Sequence, residues 1–426
     1  MKYLLPILFL ASFCSTYAQS TSGKTYDTQV VEFAKLPVLS WKSTNQVDDK
    51  PAWEGFLLVK AKLNGIYDLS GGLQNQETFN VGQIDVWGHD NRNRFGMDMY
   101  QTQLRIWSKR KTATSDFVGY LEGDFWGGDG RFRLRNVWLD YKFLHIGQDW
   151  SFFGDKDIWP NVLDWDGPPS GVWRRSTQIK FYFKNPNHWL FEIGIENPGA
   201  EFTFNEEIEP DISASYPVMP DFVGAAKKEM TFGYLRLAAI YRNLTYDYSG
   251  TNISKSGYGA ALSGYIHTHA DRKNPLQFQI VGGRGIASYL ASFGGRNYDG
   301  VPTGTGSIST APVLGGWVSY EHFFDSRWHA NFVVGISNFL TPEITQLEIG
   351  PNDYPATNTK IELDHRYIVV NLMYDPTPGL TLGIEYNLGN RSLIYTGSID
   401  IDGYMTSEIT QGRSAQRISF GAFFDF

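Results

Sequence analysis

Apolar and polar residues alternate with period two along almost the whole chain. In 56–67, Leu57, Val59, Ala61, Leu63 and Tyr67 share one face, and Lys60, Lys62 and Asn64 share the other. In 188–196, Trp189, Phe191, Ile193 and Ile195 oppose Glu192 and Glu196. Segment 327–337 sets Trp328, Ala330, Phe332, Val334 and Ile336 against Arg327, His329, Asn331 and Ser337. Segment 379–391 repeats the pattern with Leu380, Leu382, Ile384, Tyr386 and Leu388. Strict alternation is the signature of β-strands with two unlike faces. Many segments run longer than the ~5–6 residues of an ordinary strand and reach the ~9–11 that a tilted strand needs to cross a bilayer.

The pattern predicts strands at about 56–67, 94–108, 116–126, 131–143, 144–150, 174–184, 188–196, 231–241, 243–250, 255–268, 275–287, 311–323, 327–339, 361–374, 379–394 and 411–426. One side then carries tight links: 109–115, Phe143-Leu144, 184–187, Arg242-Asn243, 270–274, 325–327 and 375–379. The other carries long links at 68–93, 151–173, 197–230, 288–310, 340–360 and 395–410, with short ones at 127–130 and 251–254. Sixteen antiparallel strands with short turns at one end and long loops at the other describe an all-β outer-membrane barrel. The last segment, ending in Phe426, supplies a final amphipathic strand with Ile418, Phe420, Ala422 and Phe424 on one face.

Composition agrees. The chain is 15% aromatic with 44 glycines and 13 tryptophans, yet its mean hydropathy is a polar -0.30. No later run approaches the ~18 apolar residues of a membrane helix. Residues 1–18 read as a secretory signal: Lys2, an apolar stretch from Leu4 to Phe13, and Thr16-Tyr17-Ala18 before Gln19. Cys14 is the single cysteine, and the bulky Phe13 before it argues against lipidation. Export to the bacterial outer membrane follows. Residues 19–55 form an N-terminal periplasmic or lumenal segment, and 56–426 the barrel.

The stretch "RFRLRNVWLDYKF" (131–143) sets Arg131, Arg133 and Arg135 on alternate positions. An arginine facing lipid near the midplane costs roughly 2–4 kcal/mol, so these three are expected to face water. The phase changes after Asn136, where Val137, Leu139 and Tyr141 also read as outward, and a β-bulge would reconcile the two halves. By the same alternation Lys60, Lys62, Arg105, Arg174, Lys180 and Arg236 point inward, with Glu122, Asp124, Glu192 and Glu196 on the same wall. The third link on the long-loop side, 151–173, carries Asp155, Asp157, Asp164 and Asp166 among tryptophans and prolines. Folded inward, it would face acids toward a basic wall and set a transverse field across a narrow bore. The net charge of -8 is dominated by loops.

These motifs resemble the DcaP-like outer-membrane porin family: Gly147-Gln148-Asp149-Trp150, then Leu163 to Pro168, then an Arg-x-x-Gln-Ile strand from Arg175 to Ile179. The match is clear over about 94–290 and looser elsewhere. The resemblance implies a trimeric porin passing small, mainly anionic solutes such as dicarboxylates by passive diffusion. Some members carry an N-terminal coiled coil, which the missing heptads of 19–55 argue against here. The expected partners are membrane lipid, small anions and two further copies of the chain, with no nucleic acid, cofactor or metal. An enzyme is not expected: His267, His269, His322 and His329 lie near predicted periplasmic turns, and His365 and Asp364 point to opposite faces. The alternative is a closed barrel whose loops bind a ligand or a surface partner.

Overall fold

The computed structural model describes residues 39–70, 72–73, 78–88, 93–128, 130–203, 211–269, 274–304, 306–341, 344–349, 354–401 and 403–425. The signal segment, residues 19–38 and Phe426 lie outside the described residues. Sixteen wall strands follow in order. They are β1 (Trp53–Ser70), β2 (Arg94–Asp98 and Gln103–Lys111), β3 (Asp116–Asp124), β4 (Arg133–Tyr141), β5 (Leu144–Trp150), β6 (Arg175–Lys184), β7 (Trp189–Glu196) and β8 (Asp221–Met230). Then come β9 (Gly233–Tyr248), β10 (Thr251–His267), β11 (Pro275–Arg284), β12 (Pro312–Phe323), β13 (Trp328–Leu340), β14 (Tyr354–Thr377), β15 (Leu380–Ile401) and β16 (Tyr404–Asp425). Each is antiparallel to its neighbours, and β16 pairs with β1 from Gln416↔Ser70 to Asp425↔Lys60, which closes the barrel. Closure leaves no lipid-exposed edge of unpaired amides, the condition for a sheet to span a bilayer.

The alternation runs as the sequence reads. On β13, His329, Asn331, Val333 and Ser337 are buried inside while Trp328, Phe332 and Ile336 are exposed. On β15, Glu385 and Asn387 are buried and Leu382, Ile384 and Tyr386 face out. Outward residues are apolar because their solvent is lipid.

Three sequence expectations need correction. Residues 221–230 form β8 and not part of a long loop; their inward Lys227 and small outward residues give weak alternation. The segments 231–241 and 243–250 are one strand, β9, so Arg242-Asn243 is no turn. Arg242 looks polar enough for a turn, but it is fully buried. Its Nε and Nη1 donate to Asp221 and Asp299 at 2.9 Å each. One missed strand and one split strand cancel, which preserves the count. Finally, 340–360 and 395–410 are largely strand. β14, β15 and β16 run 24, 22 and 22 residues, about twice the ~9–11 needed to cross, and extend beyond the membrane as tall hairpins.

Segments 72–73 with 78–88, 151–174, and 285–304 with 306–311 turn into the barrel and pack on one another. Val86, Phe153, Val172, Ile286 and Phe293 share an apolar core with the wall residues Val281, Phe339 and Leu363. Leu73, Phe79, Val81 and Val162 pack on Val333, Tyr367 and Val369. Inward-facing glycines make room for them. A Cβ on Gly315 would lie 2.5 Å from Ser170 Cβ, and one on Gly389 2.5 Å from a Val81 methyl.

Residues Leu39–Lys42 pair with Glu54–Leu57 of β1, continuing along β1 below the end of β16.

At the seam, fully buried Arg417 donates to both Asp68 oxygens at 2.7 and 3.1 Å. Removing one member of such a pair strands a buried charge and costs about 3–5 kcal/mol. Arg417→Ala should therefore lower the temperature at which the folded barrel loses its heat-modifiable gel mobility. The neutral pair Asp68→Asn with Arg417→Gln should regain much of that loss, and equal melting of Arg417→Ala and the parent would contradict this account.

Candidate functional site in the barrel lumen

The inward segment 151–174 fixes the shape of the lumen. It leaves the wall at Trp150 and returns at Arg175, with Ser151 N–H donating to the Arg174 carbonyl at 2.8 Å. Two wall acids hold its backbone by their carboxylates. Glu196 accepts from the Ser151 hydroxyl and the Phe152 N–H at 2.8 and 2.9 Å. Glu385, across the barrel, accepts from the N–H groups of Leu163 and Asp164 at 2.7 and 3.0 Å. Two wall cations hold its carbonyls: Arg236 donates to Gly154 O at 2.6 Å and also to Phe152 O, and Lys62 donates to Leu163 O at 2.6 Å.

The loop's own acids divide. Asp155 accepts from Ser263 and Tyr234 at 2.6 and 3.3 Å, and Asp157 from Lys227 at 2.8 Å. Asp164 accepts from Phe79 N–H at 2.6 Å and lies 3.8 Å from Arg417. Asp155 and Asp164 are therefore sealed fasteners, and burial pushes both carboxyls up. Asp157 and Asp166 face the remaining cavity. Burial, reinforced by the charge of Asp164, pushes Asp166 up to about 7.

That cavity has a volume of about 880 Å³. Lys60, Arg105, Glu122, Arg133, Arg135 and Arg174 all line it. The predicted bulge is present: Glu122 pairs with Asn136 and Gly123 with Leu134, which leaves Arg135 as the extra residue. Arg135 and Asn136 thus both turn inward and are buried. The two wall acids gather the arginines into a lattice. Arg135 reaches Glu122 at 2.6 Å and Asp124 at 2.8 Å, Arg133 reaches Asp124 at 2.6 Å, and Arg105 reaches Glu122 at 3.1 Å.

Five predicted lining positions are corrected. Arg131 lies in the exposed outer turn before β4, its N–H donating to Gly128 O at 3.1 Å, because the strand starts only at Arg133. Lys62 is only 1% exposed, enclosed by the loop and the Trp165 ring. Asp124 is wholly buried behind its arginines. Lys180 and Arg236 both bind Glu192, at 2.9 Å each, and lie under the loop near Phe152. They point inward as alternation requires, but the loop covers them.

Sequence reasoning missed Arg175, Lys156, Glu201 and Glu321, and also Trp126, Trp150, Trp159, Trp165 and Trp173, all of which line the cavity. Arg174 and Arg175 are neighbours, and alternation would send one of them to the lipid. Both face the cavity because β6 begins at Arg175, leaving Arg174 in the loop. The excess of tryptophan in the composition was the available signal for the ring wall.

The lining ionisable groups are mixed in sign: Lys60, Arg105, Arg133, Arg135, Lys156, Arg174 and Arg175 against Glu122, Asp157, Asp166, Glu201 and Glu321, seven to five. Their distribution is uneven. Six of the seven cations (all but Lys156) belong to β1–β6 or their immediate end, whereas four of the five acids (all but Glu122) belong to loops and β12. The cations are thus concentrated on one stretch of the wall.

No family model matches the chain, and no curated protein matches it. Solved structures do. The outer-membrane channel DcaP of Acinetobacter baumannii superposes with a TM-score of 0.67 at 16% identity, over 90% of this chain and 100% of that one. The anion-selective porin from Comamonas acidovorans gives 0.53 at 12% identity, over 88% and 100%. OmpF of Salmonella typhi, in complex with daunomycin, gives 0.50 at 13%, over 88% and 98%. At these identities the likeness is one of architecture: the chain has the sixteen-stranded antiparallel barrel fold of outer-membrane porins.

Proposed function

We propose that this protein is an outer-membrane porin that passes small hydrophilic solutes by passive diffusion and prefers anions, dicarboxylates among them. The observation that carries the reading is the one-sided cluster of Lys60, Arg105, Arg133, Arg135, Arg174 and Arg175 on the cavity wall. Glu122 and Asp124 bind three of these groups, Arg105, Arg133 and Arg135. In a narrow bore with low-dielectric walls such a cluster raises the local concentration of anions. Two carboxylates of one solute could engage two guanidinium groups at once. The similarity to an anion-selective porin supports the same reading. Residues 1–18 direct export, 19–55 serve as a periplasmic or lumenal segment, three copies associate through outward apolar faces, and the chain catalyses nothing. A second reading, a closed ligand-binding barrel, draws on the apolar core that three inward segments build inside the lumen.

Planar-bilayer recording separates the two, since the porin should give stepwise conductance and the closed barrel none. A Cl⁻ permeability above that of K⁺ should appear in the reversal potential, and the opposite order would remove the anion clause alone. A unit charge at ~4 Å in water-like dielectric is worth about 1 kcal/mol. Arg133→Gln with Arg135→Gln should therefore lower the Cl⁻/K⁺ ratio about fivefold or more, because Asp124 then loses both of its arginines and Glu122 keeps Arg105 alone.

Selectivity should also depend on pH through Asp166. Its raised carboxyl is neutral below about 7 and negative above it. Anion preference should increase as pH falls through that value, and Asp166→Asn should hold the channel at its low-pH selectivity across the range. An unaltered pH profile in that variant would show that Asp166 does not face the ion path.

A further inference from the structure

The tryptophans of the cavity are arranged as a row. Trp150 and Trp159 have ring centroids 5.4 Å apart, Trp159 and Trp173 4.5 Å, and Trp173 rests on the buried Trp317 at 5.9 Å. The first three line the cavity and are only half-buried. A short dicarboxylate has no use for successive indole faces, and neither does a hydrated inorganic anion. Apolar packing does not explain them either, since an indole left at a water-filled wall gives up burial it could have had deeper in the core.

The row is bordered by cations. The Arg175 guanidinium lies 4.8 Å from a Trp150 ring centroid, and that of Arg135 lies 6.0 Å from both Trp150 and Trp165. Two donors at the row, Arg175 Nη1 and Trp173 Nε1, are buried with no hydrogen-bond partner within the described protein. Carboxylate acceptors face the same space from Asp157 and Glu321. Neighbouring indole rings, guanidinium groups beside them and carboxylates in the same cavity form a set with a specific complement. Pyranose rings present an apolar C–H face to stack on an indole and hydroxyls at the rim to donate to carboxylates. A carboxylate on each ring would take a guanidinium.

We propose that the lumen binds short acidic oligosaccharides, uronate-type chains of about two or three rings, along the Trp150–Trp159–Trp173 row. This rests on the porin reading and names the solute class that the bore selects. Repeated rings engage successive indoles, so affinity grows with chain length, a behaviour that a point-charge constriction does not give.

Single-channel recording with galacturonate, digalacturonate and trigalacturonate tests it, with maltotriose, succinate and benzoate as comparisons. Block should strengthen from monomer to trimer, with trigalacturonate the strongest of the set. Replacing two adjacent rings, Trp159→Ala with Trp173→Ala, should weaken trigalacturonate block about tenfold. Trp159→Phe with Trp173→Phe, which keeps a ring at each place, should recover most of the loss. Equal block by monomer and trimer, or block by succinate or benzoate matching that of trigalacturonate, would overturn the proposal. The length series uses the unaltered protein and is informative even if the alanine variant does not fold. Calorimetric titration of detergent-solubilised protein separates the two readings. Saccharide binding without conductance sinks the porin reading alone, and conductance without length-dependent block sinks this inference alone.

Discussion

The hydrogen bonds that hold the backbone of the inward segment 151–174 to the wall decide what the lumen is. A loop inside a barrel brings unpaired amides and carbonyls out of bulk water, and each unpaired one costs about 1–3 kcal/mol. The wall meets this with charged partners: Glu196 and Glu385 for the amides, Arg236 and Lys62 for the carbonyls. Charge-assisted bonds of this kind are roughly twice as strong as neutral ones. Without them the segment has no reason to cross the bore, and the row of indoles and the paired arginines would face an open channel.

The same arrangement explains why lumenal charge is a poor guide to ion selectivity when counted from sequence. Lys62, Lys180 and Arg236 are cationic and inward-facing, yet their charge is committed to the loop or to Glu192 beneath it. Asp155 and Asp164 are likewise fasteners. What remains for a solute is the wall of β1–β6, where Glu122 and Asp124 hold the arginines in register and thereby fix where positive charge is presented.

Period two made the barrel legible, because lipid on one side and water on the other leave a strand no other choice. The bulge at Arg135 was legible too, to within a residue, since the apolar phase of Val137 and Leu139 contradicts that of the arginines. β8 was not, because an alternation of Phe222, Gly224 and Ala226 against Val223, Ala225 and Lys227 has little amplitude. The tall β14–β16 hairpins were hidden for a related reason: above the membrane the outward face is polar, and the signal that marks a membrane strand vanishes where the lipid ends. The site was legible only in its charges. Which of them the loop would cover depends on where a segment lands across the barrel, which no local pattern encodes.

The seam between β16 and β1 has a consequence for how the molecule comes into being. Hairpins such as β9–β10 join residues already close in the chain, but the Arg417–Asp68 pair joins residues 349 positions apart. Contacts of such separation carry the largest loop-closure entropy and form late. Until they form, the wall is an open sheet whose first and last strands present bare edges, the geometry that invites pairing with other chains. Leu39–Lys42 already covers part of the edge of β1. The molecule thus enters its last assembly step with one of its two vulnerable edges partly occupied by its own N-terminal strand.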